Sequence, residues 1–160
     1  EQLLVVGAHL DSVSAGPGIN DNGSGTALVL ELALQAAEMD IDWHNTLRFA
    51  WWGAEESGLI GSYHYVEELS DSEWERHLAN LNFDMVASPN GRRYVYDGDN
   101  STGDGYPAPV GSDLIESLFT GFFDQQDLEW SSTAFDGRSD YGPFIWTGIP
   151  ILILNNSLII

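Results

Sequence analysis

The chain of 160 residues carries 25 acidic against five basic residues, giving a formal charge of −20, and it has no cysteine. Such a balance repels nucleic acid and anionic membranes, excludes disulfides, and restricts any zinc ligands to His, Asp or Glu. With 43% hydrophobic residues the chain can form a sizeable core, and no apolar run approaches the ~20 residues that cross a bilayer.

The acidity fits a strongly solvated surface, or adaptation to high salt, where screening relieves self-repulsion. All five cations are arginine: Arg48, Arg76, Arg92, Arg93 and Arg138. No basic stretch precedes a hydrophobic one in the manner of a signal peptide. The chain opens almost inside a strand, and a leading segment is expected upstream of Glu1.

Leu3 to Val6 is a short, continuous apolar run, the pattern of a strand covered on both faces. "GAHLDSVSAGPGINDNGSG" follows, a loop with five glycines, one histidine and two aspartates. Thr26 to Met39, rich in Ala, Leu and Glu, predicts a mostly buried helix, with Asn20, Asp21, Asn22 and Ser24 as N-cap candidates. "TLRFAWWG", Thr46 to Gly53, predicts a second buried strand, and Leu59 to Leu69 a helix. "LANLNFDMV", Leu78 to Val86, predicts a third strand, and "RRYVYDG" a fourth on an edge. A loop rich in Gly, Asp and Pro then leads to an amphipathic helix over Ser112 to Phe123 and a last buried strand, "IPILIL". Strands alternating with helices, without an internal repeat or linker, predict one α/β domain over 1–160 with a mostly parallel sheet between helices.

Ligands of open α/β sheets bind beyond the carboxyl ends of the strands. His9 and Asp11 stand there after the first strand, Glu55 and Glu56 after the second, and Asp84 at the end of the third. Asp21 precedes the first long helix. Zinc takes imidazole nitrogen and carboxylate oxygen at about 2.0–2.2 Å and keeps a catalytic position open for water. Two zincs about 3.5–4 Å apart need a bridging carboxylate, a role that suits Asp21. His9 could serve one ion, and Glu56 or Asp84 the other. Asp11 is placed to accept a hydrogen bond from an imidazole N–H. One of Glu55 and Glu56 can bind metal while the other takes a proton. Each residue alone has a duller reading, as a solvated side chain or a turn cap; together they outline a metal centre.

The blocks "GAHLDSVSAGPGINDNGSG", "RFAWWGAEESGLIGSYHYV", "LNFDMVASPN" with "YVYDGDN", and "FDGRSDYGPFIWTGIP" resemble those of the secreted bacterial di-zinc aminopeptidases of the leucine-preferring, aminopeptidase S kind. The resemblance spans nearly the whole chain. It implies a mixed sheet sandwiched by helices, two Zn2+ ions, and hydrolytic release of the N-terminal residue from peptides with a free amino terminus. It further implies His9 and Asp84 as ligands of one zinc, Asp21 as the bridge, Glu56 as ligand of the other zinc and Glu55 as general base. Asp11 would orient His9, and Arg138 would lie at the substrate-binding end. Export from the cell is also implied. The family's second zinc takes a histidine from a loop beyond the last core strand, whereas no histidine follows His77 here. Structural duty is the expectation for His44, His64 and His77. The chain is therefore expected to be incomplete at both ends, with its second zinc site lacking a ligand. Catalytically impaired binding on the same fold, or another exopeptidase or cyclase reaction, are the alternatives.

Overall fold

A computed structural model describes residues 1–155. Its elements run β1 (Leu3–His9), α1 (Gly23–Glu38), β2 (Thr46–Trp52), α2 (Ile60–Glu67), α3 (Asp71–Trp74), β3 (His77–Phe83), β4 (Arg93–Tyr96), α4 (Ser112–Gln125), β5 (Trp130–Thr133), α5 (Gly142–Thr147) and β6 (Ile151–Asn155). The strands form one sheet in the order β2-β1-β3-β6-β4-β5. β1 runs parallel to β2 and β3, and β3 to β6. β4 is antiparallel to β6 and parallel to β5. The sheet is thus mixed and mostly parallel, with helices on both faces. No helix among the described residues is long and apolar enough to cross a membrane.

Strand period explains the two cores. Leu3, Val5, Ile151 and Ile153 face one way with Trp52, and are covered by Phe135, Tyr141 and Phe144. Val6, Ala8 and Phe83 face the other way and meet Val29 of α1, while Val95 and Leu152 meet Phe123 of α4. Strands covered on both faces read as continuous apolar runs, which is why β1 and β6 are visible in the sequence.

Several expectations change. α1, expected to be mostly buried, buries only Gly25 and Val29 and is otherwise exposed or half-buried, and β2, expected as a buried strand, is a half-buried edge of the sheet. "RRYVYDG" contributes β4, but β4 lies between β6 and β5 and is not an edge. The edge on that side is β5, whose "WSST" is too short and too polar to announce itself by period, and β2 is the edge on the other. The stretch "SDYGPFIWTGIP" also holds a helix, α5, with Pro143 in its first turn and Gly148 as a left-handed C-cap at φ 77°.

Close packing then brings the loop after β1 onto the end of β3. Gly25 in the first turn of α1 sits where a Cβ would collide with the Phe83 carbonyl. Asn22 caps α1 by accepting the Gly25 N–H at 3.0 Å. The same amide accepts the Met85 N–H at 3.2 Å and donates to the Phe83 carbonyl at 3.0 Å. Buried and bonded three times, Asn22 pins the α1 start to the strand that leads to Asp84. The adjacent Asp21–Asn22 peptide is cis.

Candidate functional site

His9 is the last residue of β1 and is 1% exposed. Thr26 of α1 donates to its backbone carbonyl at 2.7 Å, fixing the end of the strand. Its Nε2 faces three carboxylates: Asp21 at 3.2 Å, Asp84 at 3.4 Å and Glu55 at 4.0 Å. None is aligned as a hydrogen bond, and both His9 Nε2 and Asp84 Oδ1 are buried without a partner. Ligand atoms of His9, Asp21 and Asp84 all lie within 4.8 Å of one another. Imidazole nitrogen and carboxylate oxygens crowded together yet unsatisfied are a donor set that suits zinc.

Further bonds hold these donors. Ser139 donates to Asp84 Oδ2 at 2.7 Å and accepts from Asn82 at 2.9 Å. This leaves the other Asp84 oxygen facing His9. Next to it, Asp140 is fully buried and accepts from Ser62 of α2 at 2.5 Å. Sequence reading missed Asn82, Ser62, Ser139 and Asp140, whose residue types carry no pattern of their own.

Glu56 stands apart. It is exposed, its Oε1 accepts the Val13 N–H at 3.2 Å, and it lies outside the His9 group. Asp11 turns its carboxylate to the backbone N–H groups of Glu55 and Glu56, at 3.0 and 3.1 Å. Arg138 is 85% exposed and pairs with Asp136 at 2.6 Å. It shares a cleft of about 310 Å³ with Asp21, Asp84, Tyr96 and Ser139. His77 is held by Tyr65 at 2.7 Å and the Glu73 carbonyl at 2.7 Å, a structural placement. His44 and His64 are exposed and outside the His9 group. A second acidic group, Asp97, Asp99 and Glu116, serves the following loop, with Asp97 accepting from Ser101 and Thr102.

Electrostatics follow from this crowding. Burial alone would lower the His9 pKa, but the Asp21 and Asp84 carboxylates reverse that and raise it to about 11. Burial pushes Glu55 up to about 8; the His9 charge opposes this, while Asp84 and Asp140 add to it. Burial likewise pushes Asp140 up to about 7, against the Ser62 bond. Asp11 is lowered, because its two backbone N–H bonds outweigh its burial.

The sign for the metal-free protein is the same for all three raised groups. The His9 contribution is full below its unfolded value of 6.5 and is lost as pH rises through about 11. The cost of ionising Glu55 and Asp140 grows from about pH 4 and is complete above about 8 and 7 respectively. In chelator, the melting temperature is therefore expected to be higher at about pH 5 than at about pH 9. An equal or higher value at the alkaline end would contradict the arrangement.

An α/β sheet with imidazole and carboxylate donors gathered at the carboxyl rim of its parallel strands defines a candidate metal centre. The model of Peptidase family M28 matches residues 1–158, and the chain belongs to that family. An aminopeptidase of Pseudomonas aeruginosa (strain UCBPP-PA14) is 51% identical over 148 residues, covering 92% of this chain and 27% of that protein. Leucine aminopeptidase 2 of Trichophyton equinum is 49% identical, covering 92% of this chain and 29% of its own length. The structure of BSAP, a zinc aminopeptidase from Bacillus subtilis, superimposes with a TM-score of 0.79 at 33% identity, covering 98% of this chain and 36% of that one. The chain thus spans between a quarter and two fifths of these relatives.

Proposed function

We propose that this chain carries the catalytic rim of a zinc-dependent aminopeptidase that removes the N-terminal residue of peptides. The observation that carries the reading is the His9, Asp21 and Asp84 group, within 4.8 Å, with the buried Glu55 carboxylate 4.0 Å from the His9 ring. His9 and Asp84 would hold one zinc, Asp21 would bridge to a second, and Glu56 would serve the second after leaving Val13. Bound zinc supplies polarisation of the scissile carbonyl and a more acidic water. Glu55, kept basic by burial, takes the water's proton and delivers it to the leaving amine. Arg138, which lines the same cleft as Asp21 and Asp84, would supply positive charge for the carbonyl side of the peptide.

Hydrolysis of leucyl-p-nitroanilide and of its N-acetylated form, with zinc content measured in parallel, tests the proposal. The free-amine substrate is expected to be cleaved and the acetylated one spared. Activity should vanish with 1,10-phenanthroline and return with zinc. Full activity in strong chelator would overturn the reading. Stoichiometric zinc without turnover would replace it with a metal-holding, peptide-binding domain.

A further inference from the structure

A carboxylate two residues beyond a zinc-site histidine is placed to orient the imidazole. The atoms are arranged differently here. His9 Nδ1 lies 3.1 Å from the backbone carbonyl of Asp11, which serves the ring, while the Asp11 carboxylate is 3.6 Å away. Both of its oxygens are engaged elsewhere: Oδ1 accepts the Glu55 N–H at 3.0 Å and Oδ2 the Glu56 N–H at 3.1 Å. Ala54 precedes them in the left-handed conformation, at φ 57°. Successive amides around such a residue form a concave nest for an anion. The outgoing side of the turn is closed by its own backbone, the Glu55 carbonyl accepting from Gly58 at 2.9 Å and Leu59 at 2.8 Å.

We propose that Asp11 is a positioning residue for the Glu55–Glu56 turn: its carboxylate fills the backbone nest opened by Ala54 and fixes the peptide planes from which both glutamates project. The two glutamates leave adjacent positions in different directions, Glu55 inward toward His9 and Glu56 outward to Val13. Divergence of that kind requires the intervening peptide to be held, and Asp11 holds it from the loop directly after β1. Strand end and turn are thereby locked as one unit. This role deepens the reading of Glu55 as base, yet it is a statement about backbone bonds that needs neither metal nor substrate.

Asn and Ala at position 11 separate this from ring orientation. An Asn carbonyl would still accept from an imidazole N–H, but its NH2 would confront one of the two backbone donors in the nest. Hydrogen exchange read by mass spectrometry, on the protein at its natural length, follows the Glu55 and Glu56 amides together with the β1 segment. In the unsubstituted protein both amides are expected to be protected. Asp11→Asn and Asp11→Ala should each speed their exchange about tenfold or more, with β1 unchanged. If the protein turns over peptides, both variants should lose about 10–100-fold in kcat, and added formate should restore the Ala variant saturably but not the Asn variant. Unprotected Glu55 and Glu56 amides in the original protein would overturn the proposal without any variant. An Asn variant with unaltered exchange would overturn it too. Loss of zinc or activity in the original protein would instead strike the aminopeptidase reading and leave the exchange result standing.

Discussion

Replacing Glu55 by glutamine is expected to lower peptide hydrolysis by about 10²–10⁴-fold while zinc affinity stays within a few-fold. Glutamine keeps the volume and most of the packing of a side chain that is 9% exposed, so the fold has no reason to give way. It removes the single property the reaction needs at that point, a carboxylate that takes and returns a proton. The local setting makes this side chain well suited to it. In the metal-free protein, burial and the neighbouring Asp84 and Asp140 carboxylates push its pKa to about 8, well above the ordinary range for Glu. Steady-state kinetics on leucyl-p-nitroanilide, with zinc measured by competition against a chromophoric chelator, check both halves. A variant keeping more than a tenth of the original kcat would remove Glu55 from the mechanism.

The second large effect is expected at His9. Alanine there should weaken zinc by at least about 100-fold, more than the 10–100-fold typical of losing an outer hydrogen-bond partner, and activity should fall with it. The metal-free protein should suffer separately. His9 faces Asp21, Asp84 and Glu55, and without it these carboxylates confront one another. Removing one partner of a buried charge cluster costs about 3–5 kcal/mol; about 3 kcal/mol is expected here, because Asp21 is 42% exposed and water screens it. Denaturant unfolding in chelator measures that cost, and zinc titration measures the other. If His9→Ala bound zinc as before, the metal centre would have to lie elsewhere.

Glu56 and Glu55 show how far residue types alone reach. Adjacent glutamates after a strand must point differently, so a division of labour between them is legible without coordinates. Which way each turns is decided by Asp11, whose carboxylate reaches across 44 residues to the Glu55 amide. Nothing in the spacing His-x-Asp distinguishes a carboxylate aimed at an imidazole from one aimed at a backbone nest. Asp84 is similar: its position at a strand end is visible, while the Ser139 hydroxyl that fixes one of its oxygens arrives from 55 residues away.

By itself, the sequence determined that this is a mostly parallel α/β protein with His9, Asp21, Glu55, Glu56 and Asp84 near one rim. Continuous apolar strands and the strand–loop–helix rhythm are local properties, and the carboxyl-end rule carries side chains from separate strands to the same edge. Only the tertiary structure decided that β4 is interior while β2 and β5 are the edges, that Ser139 and Asp140 stand behind the site, and that the Asp11 carboxylate accepts from the Glu55 and Glu56 amides. Hydrogen-bond partners and strand neighbours are chosen by chain segments far apart in sequence, and the period of a segment reveals which face it buries but not what it meets there.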